Sequence, residues 1–249
     1  MTPAQPREIE TRPGSKHGLI SRVLSPALQL WLRSQAEEIH DLHLRIDAGD
    51  RQILSGLIPH VAVQASQAIY QGLHLSQLQL EADTIRTNLP QVLRRKPLRL
   101  LDPILVKGQL QITAQQLQDS LTPGGLLSQG LTEFLRELLK ASQTNGGDRL
   151  LATSSPQWHT ITLGHHQLSL EATWPQPDDP HACLKINSNL DLIQGHLLHF
   201  HSLTIDTPPG WFTQPLDSLD IELGTEVALE QLHISPEKIF CIGQITVLP

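Results

Sequence analysis

Histidine is the residue type through which this chain could do chemistry. Its 249 residues include 13 histidines. On an extended strand His199 and His201 point one way and His196 the other, so two imidazoles stand where a single ion could bind both. His165-His166 lies in the same half of the chain. A working metal site also needs a third ligand and groups that orient the rings, and the spacing supplies neither. There is no Gly-rich phosphate loop, no Gly-x-Ser-x-Gly elbow, no Cys-x-x-Cys pair and no His-Glu-x-x-His helix. On a Gln-rich surface the histidines read as polar face residues. The expectation is a protein without enzymatic activity, metal or cofactor.

The elements that carry these residues are mostly strands. Leu42, Leu44, Ile46 and Ala48 alternate with His43, Arg45 and Asp47, which is the period of a half-buried strand. "QILSGLIPHVAVQAS" and "GLHLSQLQLEADTI" read as two further strands joined at Gly72. Within the second, the apolar set slips one place between Leu75 and Leu78. One extra residue in a ladder is a β-bulge, which bends its strand and raises its twist. "LRLLDPILVKGQLQIT" is another extended segment, and "WHTITL", "HQLSLEATW", "HLLHFHSLTID", "LDIELG" and "KIFCIGQITVL" follow in the C-terminal half.

Helices interrupt this pattern. Ile20, Val23, Leu24, Ala27, Leu28, Trp31 and Leu32 predict an amphipathic helix over about Leu19–Glu38, with Ser25-Pro26 as a restart or kink. Thr113 and Gln116 form a capping box opening a short helix to about Leu121. Pro123-Gly124-Gly125 ends it. A second helix carries Leu127, Leu131, Phe134, Leu135, Leu138 and Leu139 on one broad face, and Asn145-Gly146-Gly147 closes the region. Helix, strands, two helices and strands again predict an α+β fold: an elongated, curved, mainly antiparallel sheet wrapped around a few amphipathic helices. Two short echoes, "QGLHL" at 71–75 with "QGHLL" at 194–198 and "VKGQLQI" at 106–112 with "CIGQITV" at 241–247, raise an internal duplication dividing near 145–155.

Charge and composition bound the partners. A net charge of −7 and 4% aromatics argue against nucleic acid. Residues 1–150 hold 16 Lys/Arg and 14 Asp/Glu, whereas residues 151–249 hold 2 and 11. Such asymmetry describes either an oriented surface or one well-solvated half. Residues 1–17 are polar with three prolines and read as a disordered tail on a cytoplasmic protein, leaving 18–249 as one domain. No apolar run is long enough to span a bilayer. Cys183 and Cys241 read as buried free thiols.

Three features point toward lipid. Arg94, Arg95, Lys96 and Arg99 sit beside Leu93 and Leu98, as a basic patch for an anionic membrane surface or as a solvated turn. Trp211 and Phe212 follow a Pro-Gly turn, where they either dip into headgroups or pin a loop to the core. The 20–32 helix fits a bilayer surface or the dry face of a sheet.

The phrasing of the N-terminal half carries a resemblance. "GLISRVLSPALQLWLRSQ", "DRQILSGLIPHVAVQASQAIYQGLHLSQLQLEADTIRTNL" and "KPLRLLDPILVKGQLQIT" occur in that order. With Gly49-Asp50-Arg51, Gly56, Tyr70-Gln71-Gly72-Leu73 and Val106-Lys107-Gly108, they resemble the LmeA-like phospholipid-binding family over about 18–140, in the shorter form common in cyanobacteria. The resemblance implies a tubular lipid-binding fold, phospholipid in an apolar interior and no catalytic residues. Val61, Val63, Leu73, Leu75, Leu127, Leu131, Phe134 and Leu138 are then the expected lipid-lining residues. Arg94, Arg95, Lys96, Arg99, Trp211 and Phe212 are the expected headgroup or membrane-surface contacts. The expected function is phospholipid binding or transfer by a protein peripheral on the inner face of a membrane. Alternation alone does not separate a lipid cavity from a closed core, and the competing function is a dry-cored module that binds a protein partner on its curved sheet.

Overall fold

The computed structural model describes residues 36–92, 99–143, 151, 154–175, 179, 181–208, 211, 212 and 214–249. The expected tail 1–17, most of the expected helix 19–38, the basic residues 94–96 and most of the expected dividing region near 145–155 lie outside them. Eleven strands form two antiparallel sheets, open and curved, with short helices packed on them, so the fold is α+β as expected.

The first sheet has six strands. Its N-terminal members are β1 (Glu38–Asp47), β2 (Leu57–Tyr70), β3 (Leu73–Arg86) and β4 (Ile104–Thr113). The chain returns at its C-terminus to add β10 (Val227–Ile234) and β11 (Lys238–Val247), in the order β1-β2-β3-β4-β11-β10. The second sheet is a meander of β5 (Gln157–Leu163), β6 (Gln167–Thr173), β7 (Cys183–Ile193), β8 (Leu197–Asp206) and β9 (Ser218–Glu222). Glu38 opens β1 rather than closing a helix. The residues after the Gly49 turn form a short helix, α1 (Asp50–Leu54), where the sequence pattern predicts strand. Gln52 Oε1 accepts the Gly49 backbone N–H at 2.9 Å, which favours the helical turn over extension.

The slip between Leu75 and Leu78 is real, but its cause differs from the expected bulge. Ala65 pairs with Leu78 and Ala68 with Leu75, so β2 takes the same three-residue step as β3 and the register never shifts. Ile58 pairs with Ile85 and Val61 with Ala82, a second matched step. Gln67 and Thr84, at φ 48° and 55°, supply the left-handed residues that let the strands turn their faces together. Register shifts occur elsewhere, between Ile39 and His43 on β1 and between Leu229 and Gln231 on β10.

Beyond Gln77, β3 leaves β4 and meets α3 (Ala114–Asp119); α2 (Leu89–Val92) lies at the other end of β3. The capping box of α3 forms as expected: Gln116 N–H donates to Thr113 Oγ1 at 3.2 Å, and Gln116 Oε1 accepts from Thr113 N–H at 3.1 Å. His74 N–H donates to Ser120 Oγ at 2.9 Å, which fastens the end of β3 to this helix.

The long helix α4 (Leu126–Ala141) follows. Leu131, Phe134, Leu135, Leu138 and Leu139 fall on one stripe and are all buried, while Gln129, Glu133 and Lys140 are exposed. Each apolar side chain buried this way is worth about 1.5–3 kcal/mol. The stripe packs against the inner face of the second sheet in one large core with Leu170, Leu184, Ile186 and Phe200. The Phe134 and Phe200 rings lie 4.6 Å apart. A smaller core of Ile46, Ile58, Ala82 and Ile85 sits toward the far end of the first sheet.

The two sheets meet at β10. Leu229 N–H donates to Gly195 O at 2.6 Å and His166 N–H to Ile234 O at 3.2 Å. Gly195, at φ +78°, is required there, because a Cβ would lie 2.8 Å from Leu229 O.

Candidate functional site

The apolar face of the first sheet follows from its register. Residues paired across a ladder share a face. Ile46, Val61, Ala82, Val106, Ile245 and Val227 therefore form one row across all six strands, and Leu44, Val63, Leu80, Gly108, Gly243 and Leu229 form the next. A third holds Ala65, Leu78, Leu110, Cys241 and Leu232. The reverse face is polar, with Gln64, Gln79 and Gln109 in one cross-strand line.

The rows differ in what covers them. Leu78, Leu110 and Leu232 pack onto the large core beneath α4, and Val61 and Val106 onto the small one. In the row between, Leu44 packs onto the small core, whereas Val63, Leu80 and Leu229 pack with neither buried cluster and are half-buried. Gly108 and Gly243 leave its centre without side chains. Leu80 leans over Gly108, where a Cβ would meet its Cδ2 at 3.1 Å, and Leu229 leans over Gly243, where the same atom would lie 2.8 Å away. This row is an apolar shelf between two cores.

The expected lipid-lining residues separate along this line. Leu75, Leu131, Phe134 and Leu138 are 0–8% exposed inside the large core, and Leu73 and Leu127 pack against its edge. Their partners are other side chains of the protein. Val61 belongs to the small core, and Val63 alone of the eight lies on the shelf. Leu80, Leu229 and the two glycines were missed. The alternation of "QLQLEA" marked Leu80, and the echo between residues 106–112 and 241–247 marked the glycines.

Among the expected surface contacts, Arg99 is exposed, and its backbone pairs with Asn88: Arg99 N–H donates to Asn88 Oδ1 at 2.7 Å. Arg94, Arg95 and Lys96 lie outside the described residues. Trp211 is 8% exposed and meets Trp174 edge-on at 4.7 Å, and Phe212 packs against the same core. The aromatic pair therefore pins its loop, and Trp211 cannot reach a headgroup layer without leaving the core.

Several histidines pair with carboxylates. His199 and His201 do point the same way, their rings stacked at 5.3 Å. His199 Nδ1 pairs with Asp220 Oδ1 at 2.6 Å, and His201 Nε2 with Asp191 Oδ2 at 3.0 Å. Among the described residues no group of three or more His, Cys, Asp or Glu is arranged to hold a metal. Cavities of mixed lining lie elsewhere among the described residues. One, of about 950 Å³, runs between α4 and β5 beside Thr132, Arg136 and Trp158. Another, of about 770 Å³, lies at the sheet junction beside His166, Asp191, His233 and Lys238. Neither is lined by any of the eight expected aliphatic residues. Cys183, at the start of β7, is exposed and Cys241 is half-buried, so neither is the fully buried thiol expected.

The first sheet is curved and antiparallel and carries this apolar shelf. The model of the LmeA-like phospholipid-binding family matches residues 16–244, and the chain belongs to this family. It is a lipid-binding protein by that membership. Comparisons with curated proteins and with solved structures give no match. Among the described residues no helix is long and apolar enough to cross a membrane.

Proposed function

We propose that the protein is a non-enzymatic phospholipid carrier that holds acyl chains against the apolar shelf of its first sheet and exchanges them with anionic membrane surfaces. The observation that carries this reading is the row Val63–Leu80–Gly108–Gly243–Leu229, apolar and half-buried yet packed in neither core. Four strand spacings from β2 to β10 span roughly 19 Å. That matches most of an extended acyl chain, and each CH₂ withdrawn from water there is worth about 0.8 kcal/mol. Leu80 and Leu229 lean over the two glycines, so a tail lies across these leucine side chains rather than on bare backbone. Arg99 serves as a headgroup contact, together with the basic residues 94–96.

The family to which the chain belongs is defined by binding, which supports a carrier over an enzyme. A transfer assay tests the proposal. The protein should accelerate movement of a fluorescent phospholipid from donor to acceptor vesicles, and Leu80→Gln should abolish most of that acceleration. Transfer no faster than in buffer would refute the carrier role.

A further inference from the structure

The large apolar side chains that remain exposed gather at one end of the first sheet. Nine such side chains stand out among the described residues. Six of them, Leu54, Leu101, Leu105, Ile245, Val247 and Leu248, are 37–60% exposed and lie where β2 and β4 begin and β3 and β11 end. Backbone pairing brings them to one end, on both faces of the sheet: Val247 pairs with Ile104 on the apolar face, Leu105 pairs with Thr246 on the reverse face, and Leu101 N–H donates to Arg86 O at 2.9 Å. α1, which carries Leu54, packs at the start of β2. Ile245 and Val247 continue the apolar face outward, on the side shared with Val106 and Ile104.

Charges of both signs stand at this rim. Arg51, Arg86 and Arg99 are exposed there beside Asp50, Asp102 and Glu226; Asp102 lies 3.7 Å from Arg86 Nε, and Thr246 N–H donates to Glu226 O at 2.8 Å. The strands of the second sheet carry five acids, Glu171, Asp191, Asp206, Asp220 and Glu222, against one cation, Lys185. An anionic surface therefore repels that sheet and leaves the rim, with its three arginines, to face it.

We infer that this strand-end rim is the membrane-docking surface: Leu101, Leu105, Ile245 and Val247 enter the headgroup region of an anionic bilayer while Arg51, Arg86 and Arg99 meet its phosphates. Docked this way, the apolar face opens directly onto the bilayer, so a tail slides from the membrane along Ile245 and Val106 toward Leu80 without crossing water. The assignment rests on the lipid-carrier reading for its partner.

Flotation of the full chain with phosphatidylcholine vesicles, with and without phosphatidylglycerol, tests it. The combined variant Leu101→Gln, Leu105→Gln, Ile245→Thr, Val247→Thr should bind anionic vesicles about ten-fold or more weakly. Tyr70→Ser with Leu126→Ser, exposed apolar positions at the opposite end, should bind as the parent does. Arg51→Glu with Arg99→Glu should weaken binding at low salt and converge on the parent at high salt. Circular dichroism checks that each variant folds, and detergent-presented phospholipid measures lipid loading separately. Rim-dependent vesicle binding by a chain that takes up no lipid would keep the docking surface and remove the carrier. Parental vesicle binding by the folded rim variant would overturn the inference. So would a rim-dependent dimer, seen by sedimentation, in a chain that ignores vesicles, which would give the rim to a second copy.

Discussion

Gly108 and Gly243 lie directly opposite each other across the β4–β11 ladder, in the middle of the apolar face of the first sheet. They are not equally replaceable. A Cβ on Gly243 would lie 2.7 Å from Ala228 O and 2.9 Å from Leu229 Cα, both backbone atoms, beside the register shift of β10. A Cβ on Gly108 would meet only the movable Leu80 Cδ2 inside 3.4 Å. Gly243→Ala should therefore cost about 1–3 kcal/mol and Gly108→Ala less than about 1 kcal/mol. Urea unfolding compares them, and equal costs would contradict the close approach at Gly243.

Leucines on the shelf and in the core should behave oppositely. Leu138 is fully buried beneath α4, and its replacement by Ala should cost about 2–5 kcal/mol. Leu80 packs in neither buried cluster, and Leu80→Ala should cost about 1 kcal/mol or less. Lipid loading should rank the other way, with Leu80→Ala the more damaging once Leu138→Ala is measured below its unfolding temperature. Loss of lipid confined to Leu138→Ala would move the binding surface to the α4 core.

The junction of the sheets depends on Gly195. Gly195→Val introduces a side chain at φ +78° and against Leu229 O, where the Leu229 N–H bond to Gly195 O must break. Hydrogen exchange should quicken at Leu229 and neighbouring β10 amides while the β2–β3 hairpin stays protected. Unchanged exchange at β10 would show that the sheets are held elsewhere.

The two thiols should react at different rates. Burial pushes the Cys241 thiol up from its usual range, against a smaller opposing effect of a backbone hydrogen bond at Leu110. Its thiolate, the reactive form, is therefore scarcer than that of an ordinary thiol at any given pH. Maleimide at mildly alkaline pH should label exposed Cys183 first, with Cys241 following only as pH rises or the protein unfolds. Faster labelling of Cys241 would mean that the β4–β11 face opens readily.

Much of this architecture was legible because local rules agreed with tertiary packing. The Thr113–Gln116 box, the α4 stripe and the alternation of β1 through β3 all specify their own geometry. The two echoes also acquired meaning. Gln71-Gly72 and Gln194-Gly195 are paired left-handed turn residues, at φ 49°, 74°, 53° and 78°, closing two hairpins. The segments around Gly108 and Gly243 are neighbouring strands. What stayed hidden was long-range. Periodicity shows that Leu131 and Val63 each have a dry side, but only the chain's return through β10 and β11 decides that Leu131 meets a closed core and Val63 an open shelf. The phase slip likewise needed the partner strand, since one strand cannot reveal that its neighbour takes the same step.

Native mass spectrometry of the full chain after incubation with phospholipid vesicles tests the central claim most directly. The carrier account predicts a population heavier by the mass of bound phospholipid, retained by the parent and lost in Leu80→Gln. A parent chain found only at its own mass would contradict it.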